Sequence, residues 1–133
     1  MEVAEKNIKK AGMSKYVTMH EMNLKKSKKM PLKDMDLAII DLGDPWEVLP
    51  QVRKMLKSSG SVAAICPTMN QLEKLSVAFV ENEFTDIECT EHILRRIEAR
   101  DGKTRHSYQG IGHTTYLAIA RKVHFNKKRT KKK

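Results

Sequence analysis

Hydrophobic positions along the chain follow two repeats, one of about 3.6 residues and one of about two, and the segments that carry them alternate. The segment from Asp36 to Asp41 is apolar on both faces, which is typical of a buried parallel strand. The segment from Ser61 to Cys66 has the same character. Because helical segments alternate with these strands, the pattern predicts one layered α/β domain.

The first two helical segments have recognisable ends. Glu2 to Lys10 is followed by Ala11-Gly12, and glycine commonly lies just past the last turn of a helix. Asp44-Pro45 supplies a cap and a first-turn proline for the second segment. Its apolar stripe consists of Val48, Leu49, Val52, Met55 and Leu56. Since Pro50 has no amide proton, the helix either begins near Pro50 or is kinked there, and Ser58 to Gly60 is predicted to end it.

The remaining segments continue the alternation. Thr68 to Gln71 has the spacing of a capping box before a third helix. The apolar stripe of that helix consists of Leu72, Leu75, Phe79 and Val80. We predict further strands from Tyr16 to Met22, from Phe84 to Ile97 and from His113 to Val123. A loop around Asp101-Gly102 joins the last two strands, so we expect them to pair antiparallel at the end of a mostly parallel sheet.

The charge and the composition of the chain indicate which kind of molecule it binds and where it is located. The chain has 26 Lys and Arg against 16 Asp and Glu, a formal net charge of +10, which favours an anionic partner such as nucleic acid. Cys66 and Cys89 are too few for a zinc site, and without a secretory segment or a long apolar run they indicate a reduced, cytoplasmic chain with no membrane role. We expect a domain over residues 1–124 and a disordered basic tail over 125–133.

The segment from Asp41 to Trp46 lies where the strongest predicted strand ends. Ligands of open α/β sheets bind beyond the carboxyl ends of the strands, so the Asp41 carboxylate is expected to face a crevice. Pro45 is expected to stiffen the turn, and Trp46 offers a flat face that covers a cofactor or supports the loop. The alternative is a helix cap followed by a core tryptophan.

This segment resembles the Asp-Leu-Pro-x-Pro-Trp pattern of the tRNA (adenine-N1)-methyltransferase family, of the archaeal and bacterial type that modifies the T-loop adenine. The segments that carry the resemblance are Asp41 to Trp46, Glu47 to Leu49, Val62 to Thr68, Asn70-Gln71 and Ile111 to Lys122. They keep the order and spacing of the family, and the resemblance extends from Val3 to Val123. The combination is much more specific than the hexapeptide alone.

The resemblance implies a fold, an activity and a site. The fold is the Rossmann-like sheet of the S-adenosylmethionine-dependent methyltransferases, and the activity is that of a tRNA (adenine(58)-N(1))-methyltransferase. Asp41 is implied as the catalytic residue near the methyl group and the target adenine. The implied cofactor-binding residues are Asn23, Asp41, Leu42 and Trp46. Because adenine N1 already carries a lone pair, neither Cys66 nor His113 is needed as a catalyst.

Three departures from the family are expected to matter. Gly43 replaces a proline, which makes the loop less preorganised, and Asn23 replaces an acidic residue that accepts a hydrogen bond from the cofactor's adenine. The family's first strand and glycine-rich turn would precede Met1, and the six glycines of the chain supply no substitute. We therefore expect a partial sheet with an incomplete S-adenosylmethionine site, inactive alone, in which the strand at Val17 to Met22 has no neighbour.

Basic residues near the end of the chain are the candidates for holding tRNA. The predicted RNA-binding residues are Arg95, Arg96, Arg100, Lys103, Arg105 and Tyr108. Cations interleaved with aromatic rings suit phosphate contact and base stacking together. The alternative is a solvated hairpin. The lysine-rich tail is expected to attract phosphates non-specifically, and Lys25, Lys26, Lys28 and Lys29 are interpreted as an exposed connector.

Two other functions and two forms of assembly stay open. The chain is alternatively a non-catalytic tRNA-binding or assembly subunit that lost the cofactor half, and more remotely a fragment of a small-molecule methyltransferase. The resemblance implies a homo-oligomer, tetrameric in the family, or a companion chain that supplies the missing N-terminal part.

Overall fold

The computed structural model describes residues 2–27, 30, 32–93, 96–107 and 115–123. The helices in these residues are α1 (Glu2–Lys10), α2 (Leu49–Met55) and α3 (Met69–Glu81), with a short 3-10 helix over Pro45–Val48 before α2. The strands are β1 (Met35–Ile40), β2 (Leu56–Cys66), β3 (Phe84–Glu91), β4 (Ile97–Glu98), β5 (Arg105–His106) and β6 (Tyr116–Lys122). The predicted α/β class is confirmed.

Four of the strands form one sheet in the order β1-β2-β6-β3. β1 and β2 are parallel, with Ile40 opposite Ala64. β6 runs antiparallel to both of its neighbours, β2 and β3. The prediction that the last two long strands pair antiparallel is therefore confirmed. The described sheet is mixed, however, with one parallel and two antiparallel pairs of strands, and is not mostly parallel as predicted. Among the described residues β1 forms one edge of the sheet.

One face of the sheet carries the hydrophobic core. Alternate residues of β2 and β6, such as Val62, Ala64 and Ala118, point to this face and are fully buried. α2 and α3 cover it, and Phe79 of α3 meets Phe84 edge to face with 5.6 Å between ring centroids. The helical stripes and the two-residue repeat of the strands thus meet in one core.

The opposite face of the sheet is open within the described part of the chain. Leu37 and Ile39 alternate with the buried side of β1 and are 48% and 70% exposed, and Ile119 of β6 shares their face. β1 was predicted to be buried on both faces, and only one is covered by the described residues. The apolar character of the second face remains, which suits contact with a further layer of polypeptide.

The turn between α2 and β2 differs from the prediction. α2 begins at Leu49 with Pro50 in its first turn, which is the first of the two alternatives, but the Asp44 side chain makes no capping hydrogen bond. α2 ends at Met55, and Ser58 to Gly60 lie inside β2 rather than at the helix end. Gly60 passes so near β1 that a Cβ atom there would lie 3.0 Å from the carbonyl oxygen of Met35.

Two predicted strands also differ. Residues 17–22 form no strand, because no neighbouring strand among the described residues offers the hydrogen bonds that an isolated strand requires. The strand predicted over Phe84–Ile97 ends at Glu91, opposite Tyr116, where its partner β6 begins. β4 and β5 instead form a separate antiparallel hairpin.

Some predicted features lie outside the described residues. These include the basic tail over 125–133, His113, and Lys28 and Lys29 of the predicted connector. No helix in the described ranges is long and apolar enough to cross a membrane.

Candidate active site

Asp41 follows β1 directly, at the carboxyl end of the parallel pair of strands. It lines a cavity of about 370 Å³ together with Leu42, Leu24 and Val48. β1 itself supplies other walls, among them Ala38 and Ile40. A carboxylate at the rim of an otherwise apolar cavity can accept hydrogen bonds from a bound ligand and attract positive charge.

A second cavity, of about 720 Å³, adjoins the first. It is lined by Asn23 and shares Leu24, Leu42 and Val48 with the cavity that contains Asp41. Folding therefore brings Asn23, Asp41 and Leu42 to one region, although Asn23 and Asp41 are far apart in the sequence. Three of the four cofactor-binding residues implied by the resemblance therefore line these adjoining cavities, and their role in binding a cofactor stays a prediction.

Asn23 is held in a tight turn. Its backbone carbonyl oxygen accepts hydrogen bonds from the amides of Lys26 and Ser27 at 3.2 and 3.0 Å. Its side-chain oxygen accepts from the Lys26 amide at 3.3 Å. An amide oxygen has two acceptor positions, so one remains for a ligand in the adjoining cavity.

Trp46 takes a different position from Asp41, Leu42 and Asn23. Its ring is half-buried against the core, and Nζ of Lys74 in α3 lies 4.1 Å from the ring centroid. Trp46 lines neither of the two cavities. Of the two uses proposed for its flat face, supporting the loop therefore matches its contacts within the described residues.

Side chains from two other segments of the chain form ion pairs or hydrogen bonds with the loop from Asp41 to Trp46 and with the residue that follows it. On one side Lys25 pairs with Glu47 at 2.5 Å and with Asp44 at 3.6 Å. The hydrogen bond that Lys25 donates to the Glu47 carboxylate, with the negative charges of Glu47 and Asp44 adding to it, raises the pKa of Lys25. On the other side Nε2 of Gln71 donates to the carbonyl oxygen of Gly43 at 2.9 Å.

These supporting residues were missed by sequence reasoning. Lys25 was assigned to an exposed connector, and Gln71 was noted only as part of a capping box. The capping box itself is partly confirmed, because Oγ1 of Thr68 accepts from the Gln71 amide at 3.3 Å. The Gln71 side chain accepts from the hydroxyl of the cap residue Thr68 at 2.8 Å, and it also donates across to the carbonyl oxygen of Gly43. No local pattern marks a contact of that range.

The predicted RNA-binding cations gather on the β4–β5 hairpin. Gly102 turns the chain at the tip with φ of +67°, a conformation that glycine adopts without strain. Arg100, Lys103 and Arg105 line a polar cavity of about 410 Å³ there, and Arg105 pairs with Glu98 at 3.3 Å. The structure thus brings three of the predicted cations together.

The other predicted RNA-binding residues are further from the tip or outside the described chain. Arg96 lies at the base of the hairpin, where its carbonyl oxygen accepts from the Ser107 amide at 2.9 Å. Arg95 and Tyr108 lie outside the described residues.

Solved structures with this architecture define the class of protein. An S-adenosylmethionine-dependent O-methyltransferase from Thermotoga maritima matches 93% of this chain and 46% of its own, with a TM-score of 0.84 and 29% identity. A tRNA (m1A58) methyltransferase TrmI from Aquifex aeolicus matches 93% of this chain and 49% of its own, with a TM-score of 0.77 and 29% identity. The fold is that of the Rossmann-like methyltransferases.

The family follows from sequence comparison. The family model described as tRNA methyltransferase complex GCD14 subunit matches residues 1–133, and the chain belongs to this family. A relative in Methanocaldococcus jannaschii, tRNA (adenine(57)-N(1)/adenine(58)-N(1))-methyltransferase TrmI, is 37% identical over 94 residues, 70% of this chain. The chain spans 33% of that relative and just under half of the two solved chains.

Proposed function

We propose that these residues are the substrate-facing half of an enzyme that transfers a methyl group from S-adenosylmethionine to N1 of the T-loop adenine of tRNA, adenine 58 by analogy with the relatives. The observation that carries the proposal is Asp41, a carboxylate at the tip of β1 on the rim of an apolar cavity, in a chain that matches the family over its whole length. The names of the relatives support the choice of substrate.

The proposed mechanism needs a positioned acceptor and no enzyme nucleophile. Adenine N1 attacks with its own lone pair, so the chain contributes alignment and electrostatic stabilisation. Asp41 accepts a hydrogen bond from the exocyclic amine and favours the positive charge that develops on the ring. Cys66 takes no part, because it is fully buried at the end of β2 and burial raises the pKa of its thiol.

The described residues fit one side of the cofactor. Asn23 offers an acceptor for an adenine amine, while Leu24, Leu42 and Val48 offer an apolar wall beside it. Bound S-adenosylmethionine supplies the methyl group on a sulfonium centre. We assign the rest of its site to the glycine-rich half of the fold, which is outside these 133 residues.

The β4–β5 hairpin is proposed as the tRNA-binding element. Arg100 and Lys103 at its tip are exposed, so both remain available to phosphate oxygens. Arg105 adds a third cation beside them. A small antiparallel hairpin separate from the main sheet can follow the RNA backbone without disturbing the core.

The open face and the free edge of β1 are proposed as the contact with the cofactor-binding half of the fold. That half either shares a polypeptide with these residues or is a companion chain, and we call the two halves together the assembled enzyme. Exposure of Leu37 and Ile39 supports the proposal, since it leaves apolar surface for a second layer. The family description, a subunit of a complex, agrees with further association.

Replacing Asp41 in the assembled enzyme tests the function. We expect Asp41→Ala to lower kcat for tRNA methylation by about 100-fold or more, because an electrostatic group at the reacting base is lost. Asp36→Asn is the matched control, since this exposed carboxylate lies at the opposite end of β1 and pairs with Lys57. Unchanged methylation by Asp41→Ala refutes the assignment.

Cofactor titration separates catalysis from simple binding. The assembled enzyme is expected to bind S-adenosylmethionine and to methylate bound tRNA. If tRNA binds while the cofactor neither binds nor changes the affinity, the chain is a non-catalytic tRNA-binding subunit instead.

A further inference from the structure

The centre of the Asp41–Trp46 loop is bonded to a helix that lies much further along the chain. The Gly43 carbonyl oxygen accepts from Nε2 of Gln71 at 2.9 Å, across 28 residues of sequence. Apart from its two chain neighbours, no described residue has an atom within 4 Å of where a Gly43 Cβ would be. Since glycine brings no side chain to pack and has a large backbone freedom, a hydrogen bond at its carbonyl is an effective restraint on this loop.

The Gln71 side chain is itself oriented. Its Oε1 accepts from the Thr68 hydroxyl at 2.8 Å, while that hydroxyl oxygen accepts from the Gln71 backbone amide at 3.3 Å. With the carbonyl end of the side-chain amide engaged by Thr68, the NH2 end faces Gly43.

α3 gives this side-chain amide a rigid base. Leu75 and Phe79, one and two turns further along α3, are fully buried in the core. A residue mounted on an anchored helix loses little conformational freedom when it bonds to a loop, so the restraint is transmitted from the core to Gly43.

The bonds on the opposite side of the loop are of a different kind. Lys25 reaches Glu47 and Asp44 through ion pairs whose partners are all substantially exposed to solvent. Such pairs weaken with salt and contribute little in water. The Gln71 bond is also exposed, but it joins neutral groups and does not depend on ionic strength in this way.

We infer that Gln71 is a positioning residue for Asp41. By fixing Gly43, two residues beyond Asp41, it keeps the carboxylate on the rim of the cavity at the end of β1. This role rests on the proposed function, since Asp41 is the group that is positioned. Thr68 supports it by orienting the Gln71 amide.

Amide hydrogen exchange in the assembled enzyme tests the restraint. The Glu47 amide donates to the Asp44 carbonyl oxygen at 3.2 Å and so reports opening of the loop. Gln71→Leu is expected to speed its exchange by about three- to tenfold, the worth of one net hydrogen bond, while amides of β2 keep their rates. Gln71→Glu, which keeps the size but places a carboxylate against the carbonyl, is expected to do the same.

Two further observables complete the test. Asn70→Ala is the matched control, because Asn70 is an exposed neighbour on α3 and the bond to Gly43 comes from Gln71, so its replacement is expected to leave the exchange unchanged. Trp46 is the one tryptophan of the chain. If the cofactor-binding half is a version without tryptophan, acrylamide quenching of the Trp46 fluorescence reports the exposure of the same loop. Gln71→Leu is expected to increase that quenching.

Kinetics distinguish positioning from mere stability. Gln71→Leu is expected to lower kcat by about tenfold with KM for tRNA within about twofold of the parent. If Gln71→Leu leaves the loop exchange unchanged, or speeds it without lowering kcat, the inference about Gln71 is overturned. In that case an inactive Asp41→Ala still supports the proposed function. An active Asp41→Ala overturns the proposed function whatever Gln71 does.

Discussion

At the scale of single residues, backbone conformation decides what each glycine contributes. Gly12 and Gly102 have φ of +69° and +67°, in the left-handed region that other residues occupy at a cost. Gly43 is not in that region, and a Cβ atom there would meet nothing within 4 Å. Glycine at position 43 therefore adds freedom to the unfolded chain without serving the folded geometry.

Gly43→Ala is expected to stabilise the protein. Alanine reduces the conformational entropy of the unfolded chain, which gives about 0.4–1 kcal/mol where the native backbone accepts it. Gly12→Ala is the matched control and is expected to cost about 1 kcal/mol, because it forces alanine into the left-handed region. Urea unfolding of both variants measures the change, and a destabilised Gly43→Ala would show that the loop needs glycine.

The two cysteines are expected to differ in reactivity. Cys66 is fully buried and Cys89 is exposed on the edge strand β3. Burial raises the pKa of both thiols, so less thiolate is present near neutral pH than for a free cysteine, and labelling speeds up as pH rises towards the raised pKa.

Mass spectrometry after iodoacetamide treatment checks the difference. In the folded protein Cys89 is expected to be labelled at least about 100-fold faster than Cys66, which reacts only through unfolding. Cys89→Ser is expected to abolish the fast label. Equal native labelling of the two thiols would contradict the burial of Cys66.

At the scale of secondary-structure elements, one arginine joins three of them. The Arg53 guanidinium on α2 donates to the carbonyl and carboxylate oxygens of Glu83, at 2.9 and 2.8 Å, and to the carbonyl oxygen of Val123 after β6, at 2.9 Å. It also lies 5.7 Å from the centroid of the Phe84 ring. Its planar guanidinium spreads five donors over three nitrogens and so reaches acceptors on separate segments, whereas a lysine has its three donors on one nitrogen.

Arg53→Met is expected to lower the free energy of unfolding by about 2 kcal/mol, since it leaves partly buried carbonyl oxygens without a charged donor. Arg53→Lys is expected to recover only part of this loss. The adjacent, exposed Lys54→Met serves as the control and is expected to stay within about 0.5 kcal/mol of the parent. Denaturant titration measures all three, and equal stabilities would contradict the joining role.

Element prediction succeeded where the periodic pattern was long and failed where a partner strand decided the outcome. α3 and the predicted strand at Ser61–Cys66 follow from their own side chains, because repeat and cap are local. β3 stops at Glu91 because β6 begins opposite it, at Tyr116. Residues 17–22 alternate in the right way and still form no strand, since pairing requires a neighbour.

At the scale of the whole molecule, charge is unevenly distributed. The net charge of +10 favours an anionic partner such as nucleic acid, and the hairpin tip gathers Arg100, Lys103 and Arg105. Counterion release makes binding of this kind steeply dependent on salt, with each neutralised phosphate adding about 0.7–0.9 to the slope of log K against log salt.

Arg100→Gln combined with Lys103→Gln is expected to reduce the salt slope of tRNA binding by about 1.4–1.8, with a uniform loss of affinity. Lys6→Gln combined with Lys9→Gln is the matched control, because it removes the same charge from the exposed helix α1. Filter binding of tRNA over a salt series measures both. An equal effect of the two double variants would assign the binding to net charge and not to the hairpin.

The candidate site was predictable where it depends on the end of a strand, because strand ends follow from local sequence patterns. Asp41 and Leu42 were expected at the end of a strand, and the cavity at the end of β1 contains both. Asn23 adjoins them as the resemblance implied, whereas Trp46 packs towards Lys74 and away from both cavities. The direction in which a side chain points at a loop depends on its neighbours in space, so sequence spacing alone left it open.

The amino-acid sequence by itself determined the α/β class, the main strands and helices and the strand end that carries Asp41, because repeats, caps and turns act between residues a few positions apart. Only the tertiary structure decided which residues support that strand end and how the outer elements are joined. Gln71 meets Gly43 across 28 residues and Arg53 meets Val123 across 70. Contacts of that range form when the packed core brings distant segments together, and no local repeat encodes them.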